Sequence, residues 1–563
     1  MFLHTLSRST RAVTATAALA AATLALSACG GGGGGGSTGG GDGSITIFNG
    51  ATGTITENFN PFSTTALQPT LGVIFEPLYY YNLAADVDPE PLLATDFSWN
   101  DDGTQLTITT RDDVTWSDGE PFTAEDVAFT FNLIQQTPAL NTGGIAATAE
   151  ATDDTTAVLT FPETSFMQEP QVLGNQAIVP EHIWKDVADP TTEVNSDPVG
   201  TGAFAVKSFS AQSYVLESNP DYWGGEPKLK QVRYVSLDNA DAASASLVAG
   251  DVDWMSAFLP GLEDIIKGNQ DISYVNTPAL TTVMVACANA DLGCEGPQTD
   301  PAVRQAIYHA LNRDQLNNLA GGGFAAPASP TMLLPDRDKK WIADPDQVSI
   351  PQAADTDTAA QILDDAGWTA GSDGIRSKDG QRLSLTIQTV TGWSDYISLN
   401  DAMTQQLADV GIELKPSQVS WNEWSAAQTG GTFQLSLDSI GLGASSNPYF
   451  VYNKFYATDN TVPVGESASA GNASRFSDPT VDAALETARS TSDEAVQQEA
   501  YAQIQSVITE QFPYIPIYTN SMLTEFNTSR ATGWPTAEDT YAMPASWKSW
   551  DNGQVLKTIT PVG

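Results

Sequence analysis

The pattern of apolar and polar positions divides the chain after Ser44 into two parts. Up to about Leu280, short runs such as SITIF, QLTITTR, TAVLTF and KQVRYVSL lie between turn residues, which predicts strands. One helix is predicted in PFTAEDVAFTFNLI, where Thr123 can cap the first turn, Asp126 takes the third helical position, and apolar residues recur at spacings of four and three from Val127. We therefore expect the first part to be rich in β-structure.

The second part, from about Thr281, alternates helices with strands. In TDPAVRQAIYHALNR, Asp300 or Thr299 can cap a helix with Pro301 in its first turn, and SDPTVDAALETA repeats this arrangement with Asp478. The segment TAAQILDDAGW ends in the glycine that often follows a helix, and LSLTIQTV then reads as a strand. This order predicts an α/β architecture, and the absence of a fixed repeat period disfavours a solenoid or propeller.

The N-terminus has the pattern of a secretory signal. Two arginines precede an apolar segment, residues 12–26, that is mostly alanine and diluted by threonine, whereas a membrane-spanning helix needs about 20 strongly apolar residues. The segment ends in Leu-Ser-Ala-Cys, which resembles the lipobox of bacterial lipoproteins. We therefore expect residues 1–28 to be a signal peptide, Cys29 to carry the lipid, and residues 29–43 to form a glycine-rich tether. The alternative is cleavage at another small residue, with Cys29 lost.

Charge limits the partners of the chain. It has 24 Lys and Arg against 68 Asp and Glu, a formal net charge of -44. Such a charge repels phosphates, which argues against binding to nucleic acid and against docking on anionic lipid headgroups. The simplest reading of the charge is a well-solvated surface.

Two cysteines remain beyond the proposed lipid attachment point. Cys287 and Cys294 lie in VACANADLGCEGP, and in an oxidising exterior they can form a small disulfide-closed loop. A zinc site is the rival interpretation, but His182 and His309 lie far from both cysteines in sequence. The ligand count favours the disulfide, and we predict no metal site.

No catalytic motif stands out. The sequence has no Gly-x-Ser-x-Gly nucleophile elbow, no helical histidine pair and no phosphate-binding loop with its lysine. A carboxylate pair for glycoside hydrolysis stays open, because that pairing is spatial and the chain has 68 acids. We expect no catalytic residues and no cofactor.

A set of longer stretches carries a family resemblance. The most specific is ATDFSWNDDGTQLTITTRDDVTWSDGEPFTAEDVAFTFNLI, and it is joined by IVPEHIW, DPVGTGAFAVKSF, LESNPDYWGGEPKLKQVRY, LVAGDVDW, AVRQAIYHALNRDQL, AAQILDDAGW and FPYIPIY. Together they resemble the bacterial extracytoplasmic solute-binding proteins of family 5, the peptide, dipeptide and nickel group that serves ABC importers. The resemblance spans nearly the whole chain after the tether.

The resemblance implies a two-lobed periplasmic-binding-protein-like fold of mixed α/β type (type II, cluster C), with a hinge and an extra β-rich subdomain. Lobe I would comprise residues 44–280 and 525–563, with the subdomain at about 86–195. Lobe II would comprise residues 281–524. Closure of the lobes would bury the ligand and present a surface to the permease.

The resemblance also points to a binding region. In relatives that take peptides, an acidic residue shortly before the proline of a glycine-rich stretch holds the ligand's amino terminus. The matching stretch here is LDSIGLGASSNPYFVYNKFY, where the aligned position is Ala444 or Ser445 and carries no carboxylate. Aromatic residues nearby suit sugar rings as well as peptide side chains, although many aromatics serve the core. The candidate ligand-binding residues are Trp393, Trp421, Trp424, Ser445, Ser446, Asn447 and Tyr449.

These expectations combine into a receptor. We predict a monomeric, lipid-anchored lipoprotein on the outer face of the bacterial cell membrane that delivers an oligopeptide or peptide-like solute to ABC permease and ATPase subunits. An oligosaccharide is the alternative ligand, and nickel is disfavoured because a ligand cluster is missing. A secreted hydrolase and a structural or sensory surface lipoprotein are the competing classes.

Overall fold

A mixed ten-stranded sheet is the main element of the computed structural model, which describes residues 43–259, 261–468 and 471–562. In spatial order its strands are Glu413–Val419, Ser384–Val390, Leu435–Ile440, Ile272–Ala286, Tyr514–Asn527, Trp254–Met255, Ser44–Phe48, Gln231–Val235, Ser213–Ser218 and Phe204–Ser210. The predicted signal peptide, Cys29 and nearly all of the predicted tether lie outside the described residues.

Four smaller sheets complete the β-structure of the described residues. A four-stranded antiparallel sheet has the order Ala94–Trp99, Gln105–Thr110, Thr156–Thr160 and Thr148–Asp153. A three-stranded sheet joins Thr369–Ala370, Arg376–Lys378 and Gln381–Arg382, and two pairs join Tyr79–Tyr80 with Glu90–Pro91 and Ala531–Thr532 with Thr560–Pro561.

Fourteen α-helices pack around these sheets within the described ranges. They are Ala124–Gln136, Glu169–Gly174, Glu181–Trp184, Ala240–Ala249, Leu262–Gly268, Pro301–Ala310, Arg313–Ala320, Thr356–Asp365, Ser394–Ala408, Trp421–Gly430, Tyr449–Tyr456, Pro479–Arg489, Glu494–Gln511 and Ser549–Thr558. Short 3₁₀ turns occur at Gln68–Thr70, Pro138–Leu140, Phe166–Gln168, Ala290–Leu292, Pro297–Thr299, Lys339–Trp341, Pro345–Gln347 and Thr458–Asn460. No helix in these ranges is both long and apolar enough to span a membrane.

Local sequence signals place the helix starts where the pattern predicted them. Thr123 and Asp126 form a reciprocal capping box, in which the Asp126 carboxylate accepts from the Thr123 backbone amide at 3.0 Å. Asp300 caps the helix that starts at Pro301, and Asp478 caps the helix that starts at Pro479. These predictions are confirmed because caps satisfy backbone amides within a few residues of themselves.

Both faces of the sheet are covered in the region of the second predicted lobe. Side chains such as Met284 and Ile387 pack with the helices that contain Val303 and Leu399. On the other face, alternate residues such as Val283 pack with the helices after residue 448. This is the helix–sheet–helix layering of an α/β fold, and it confirms the predicted fold class.

The region of the predicted subdomain has its own core. The four-stranded sheet packs against the helix Ala124–Gln136 in a cluster that includes Leu106, Ile108 and Phe131, and Trp184 of the helix Glu181–Trp184 joins this cluster. The β-rich character predicted for the first part of the chain is therefore confirmed in the region of the four-stranded sheet.

Two long strands connect the regions of the two predicted lobes. Ile272–Ala286 pairs antiparallel with Tyr514–Asn527 along almost its whole length, and the register shifts between Pro278 and Leu280. Beyond this shift, Thr281 to Ala286 also pair with Leu435–Ile440. The lobe boundary expected at residue 280 stays a prediction, because the strand runs through it and its register shifts again between Thr282 and Val283.

Candidate functional site

The candidate residues lie in three connections that follow the carboxyl ends of three parallel strands of the main sheet. The strands Glu413–Val419, Ser384–Val390 and Leu435–Ile440 are parallel to one another, so their carboxyl ends share one edge of the sheet. Trp393 follows the second of them, and the helix with Trp421 and Trp424 follows the first. Ser445, Ser446, Asn447 and Tyr449 follow the third. Ligands of open α/β sheets bind at such edges.

The three tryptophans form one aromatic cluster. The rings of Trp421 and Trp424 stack with centroids 5.2 Å apart, and Trp393 contacts them at 5.8 and 5.3 Å. Trp421 is 55% exposed, whereas Trp424 is only 7% exposed. The structure therefore brings the predicted tryptophans together but leaves mainly Trp421 open to a ligand.

Hydrogen bonds to the strand Leu435–Ile440 hold the buried side of the aromatic cluster in place. The Trp424 indole nitrogen donates to Ser436 Oγ at 3.0 Å, and Gln428 Nε2 donates to the same oxygen at 3.0 Å. Gln428 Nε2 also lies 3.4 Å from a carboxylate oxygen of Asp438. Burial raises the pKa of Asp438 to about 6, against the lowering effects of the Ser439 amide and Lys454. Trp424 is thus held as part of the support rather than as a contact surface.

Asn447 fixes the connection after the third strand. Its side-chain oxygen accepts from the Tyr501 hydroxyl at 2.6 Å and from the Tyr449 amide at 2.9 Å, and its Nδ2 donates to Gln497 Oε1 at 3.0 Å. Its backbone amide donates to Ser445 Oγ at 3.2 Å. Because these bonds use both polar atoms of the side chain, Asn447 positions the loop that carries the two serines.

A cavity of about 640 Å³ lies between this loop and the first part of the chain. On one side it is lined by Ser445, Ser446, Asn447, Phe450, Lys340, Trp341, Ser492 and Gln497, and on the other by Tyr81, Asp86, Val87, Asp88, Pro89, Phe166, Met167, Glu169 and Pro170. Three predicted site residues therefore share a cavity to which both predicted lobes contribute.

The wall of this cavity opposite the loop contains carboxylates that were not predicted from the sequence. Asp86 accepts a hydrogen bond from Ser446 Oγ at 3.3 Å. Glu169 accepts from the Tyr81 hydroxyl at 3.2 Å and from the Trp99 indole at 3.0 Å, and burial raises its pKa despite these bonds. The acidic stretch DVDPEP was the available signal for Asp86, but nothing local tied it to a loop 360 positions away.

A second cavity of about 650 Å³ adjoins the first through the shared lining residues Met167 and Phe450. Tyr449 lines this second cavity, together with Glu163, Gln168 and Arg489, among others. Tyr449 is thus placed with the loop serines but on the neighbouring cavity.

The loop position that the family resemblance assigns to binding the ligand's amino terminus has no carboxylate of its own. Ala444 and Ser445 lie in the connection after Ile440, and the acid that reaches this loop is Asp86 from the opposite wall. Asp86 lies 3.3 Å from the Lys340 ammonium of the same cavity wall, so its carboxylate already has a cationic partner.

The cysteines and histidines of the described residues lie in other parts of the fold. Cys287 and Cys294 are buried and joined in a disulfide with Cα atoms 5.5 Å apart. His182 lies 2.8 Å from Asp118 near the surface, and burial lowers the pKa of His309. No group of three or more metal-ligating side chains occurs within the ranges that the structure describes.

Comparisons with known proteins identify the family. The model of bacterial extracellular solute-binding proteins, family 5, matches residues 88–462. The chain belongs to this family. Members of the family are solute-binding proteins that serve transport, and the resemblance seen in the sequence is confirmed.

Curated relatives of this family-5 protein cover about three quarters of it. It is 29% identical over 441 residues to Protein XP55 of Streptomyces lividans, covering 76% of each chain. It is 26% identical over 433 residues to the oligopeptide-binding protein AppA of Bacillus subtilis, covering 74% of this chain and 76% of that one.

Solved structures extend the likeness to the whole fold. A periplasmic oligopeptide-binding protein of an oligopeptide ABC transporter from Thermotoga maritima matches with a TM-score of 0.82 and 26% identity, over 92% of this chain and 99% of that one. The same protein with mannohexaose bound matches with a TM-score of 0.73 and 25% identity, over 92% and 99%. The two-lobed fold of this family-5 chain is established by these neighbours.

Proposed function

We propose that this protein is the substrate-binding receptor of an ABC importer and captures an oligopeptide or peptide-like solute between its lobes. The observation that supports this most is the cavity of about 640 Å³ that both lobes line at the carboxyl edge of parallel strands. The captured solute is handed to the permease and ATPase subunits. The protein acts by binding alone and is not an enzyme.

An oligosaccharide is the second candidate ligand. Trp421 offers an exposed indole in the helix that follows the parallel strand Glu413–Val419, and indole faces suit pyranose rings. A structural neighbour binds mannohexaose, which favours the same class for this chain. The missing carboxylate at Ala444 and Ser445 also weighs against a ligand that needs the usual anchor for a free amino terminus.

We assign lobe I to residues 44–280 and 525–563, with a subdomain at about 86–195, and lobe II to residues 281–524. The support for this division is that, among the strands of the described residues, only Ile272–Ala286 and Tyr514–Asn527 cross its boundaries. These strands would act as the hinge.

The protein is proposed to work as a monomer attached to the outer face of the cell membrane. Lipid on Cys29 and a tether of residues 29–43 would hold it near its permease while leaving the lobes free. Labelling cells with a fatty-acid analogue tests this directly. Label in the wild-type protein but not in Cys29→Ala supports the anchor, and equal labelling of both contradicts it.

Binding is tested on residues 41–563, which form one compact unit. Nonapeptides and mannohexaose are titrated calorimetrically and in thermal melts, and a ligand at 100 times its Kd should stabilise the fold by about 2.7 kcal/mol. Saturable stabilisation with the ligand recovered intact supports the receptor. Consumption of the ligand contradicts it, and the class of ligand that binds decides between peptide and sugar.

A further inference from the structure

A lysine links the two lobes at the wall of the first cavity. Lys340, in the 3₁₀ turn Lys339–Trp341 of lobe II, lies 3.3 Å from Asp86 Oδ1 of lobe I. The same ammonium lies 3.3 Å from Glu494 Oε2, at the start of a lobe II helix. We call Asp86, Lys340 and Glu494 the ionic bridge. One cation thus ties a carboxylate of each lobe.

Three further contacts cross between the lobes nearby. Ser446 Oγ donates to Asp86 Oδ1 at 3.3 Å, so Asp86 meets lobe II twice. Arg337 Nη1 donates to the Leu83 carbonyl oxygen at 2.9 Å. Arg489 lies 3.9 Å from Glu163 at the adjoining cavity. The segment 83–86 therefore meets lobe II through three polar contacts, two at Asp86 and one at Leu83.

Charge gives the ionic bridge its particular behaviour. Burial alone would lower the pKa of Lys340, but Asp86 and Glu494 outweigh it and raise this pKa. The bridge is partly exposed, with 39% of the Lys340 side chain and 30% of the Asp86 side chain accessible, so dissolved salt can screen it. Its contribution should be modest, and large only relative to the small free-energy differences between lobe arrangements.

We propose that the ionic bridge is a latch that sets, before any solute binds, the population of the lobe arrangement that encloses the cavity. This inference rests on the proposed function only in requiring that the lobes move. A solute that binds the enclosed arrangement then has an apparent Kd that varies inversely with this population. Ionic strength outside the cell would tune the receptor through the same bridge.

The test measures lobe separation without any solute. Spin labels are placed on residues 41–563 by the substitutions Glu150→Cys in the subdomain and Asp357→Cys in lobe II, both at exposed positions. Distance distributions are recorded for the parent, Lys340→Met, Asp86→Asn and the double variant, each in low and high salt. Lys339→Met is the matched control, because Lys339 is the exposed neighbour in the same turn and has no ion pair among the described residues.

The latch predicts that each single variant raises the ratio of other arrangements to the enclosed one by about 2- to 5-fold in low salt. The double variant should add little to either single change, because both remove the same pair. High salt should move the parent towards the variants and change the variants less, because the Arg489–Glu163 pair remains in all of them. Lys339→Met should match the parent.

Two results overturn the latch. One is a distance distribution that is the same in the parent and in Lys340→Met, and the other is a shift of equal size in Lys339→Met. If a variant melts early, a salt-independent distance distribution in the parent still contradicts the proposal. Failure of the latch leaves solute binding intact, whereas failure of the proposed function appears only in the titrations with peptide and sugar.

Discussion

Replacing Trp421 and Trp424 separately by alanine should separate ligand contact from structural support. Trp424 is 7% exposed and donates to Ser436 Oγ at 3.0 Å. Removing a buried tryptophan costs about 3–5 kcal/mol in the free energy of unfolding. Trp421 is 55% exposed and loses mainly ring stacking, so its removal should cost less than about 1.5 kcal/mol.

The effect on ligand affinity should be larger for Trp421→Ala than for Trp424→Ala. If Trp421 stacks on the ligand, its loss removes about 0.5–1.5 kcal/mol of binding free energy, which is roughly 2- to 10-fold in Kd. Trp424→Ala should affect binding only as far as the helix that carries Trp421 shifts. Trp547→Ala is the matched control, because Trp547 is also exposed but lies outside the three connections that follow the parallel strands.

The assay pairs urea unfolding with calorimetric titration of mannohexaose and nonapeptides for all three variants. The reasoning is refuted if Trp421→Ala destabilises the fold as strongly as Trp424→Ala does. It is also refuted if Trp421→Ala and Trp547→Ala leave the Kd of every ligand that binds equally unchanged.

Three further changes have defined outcomes. Burial raises the pKa of Glu525 from 4.5 to about 8, so the free energy of unfolding should fall as the pH rises from about 4.5 to 8, by at most about 1.4 kcal/mol per pH unit. Glu525→Gln should flatten this pH dependence in urea unfolding, and an unchanged slope would contradict the reasoning. Replacing Cys287 and Cys294 by serine should cost about 2–3 kcal/mol, and reductant should mimic the change in the parent alone. Gly200→Ala should lower the Tm sharply, because a Cβ would overlap the Ile74 carbonyl oxygen, and a parent-like melt would refute this.

Features that depend on a few neighbouring residues could be predicted from the sequence. The caps Thr123, Asp300 and Asp478 satisfy amides within three positions of themselves, so the pattern was sufficient. The α/β alternation followed from apolar periodicity for the same reason. The family resemblance supplied the two-lobed arrangement, which periodicity alone does not contain.

The candidate site was only half predictable. The sequence placed Trp421 and Trp424 three positions apart, but which of them is exposed depends on how their helix packs against Ser436 of the neighbouring strand. Likewise, the loop near Ser446 was identified, whereas its acidic partner Asp86 comes from 360 positions away.

The sequence by itself thus determined the helix starts, the β-rich and α/β parts, and the set of aromatic and polar residues from which a binding site could be built. Only the tertiary structure decided which side chains face the cavity and that Asp86 and Lys340 meet across it. The physical reason is the separation along the chain between the residues that interact. Hydrogen-bonded caps and amphipathic faces are satisfied by neighbours along the chain, whereas exposure and ion pairing are set by segments that only folding brings together.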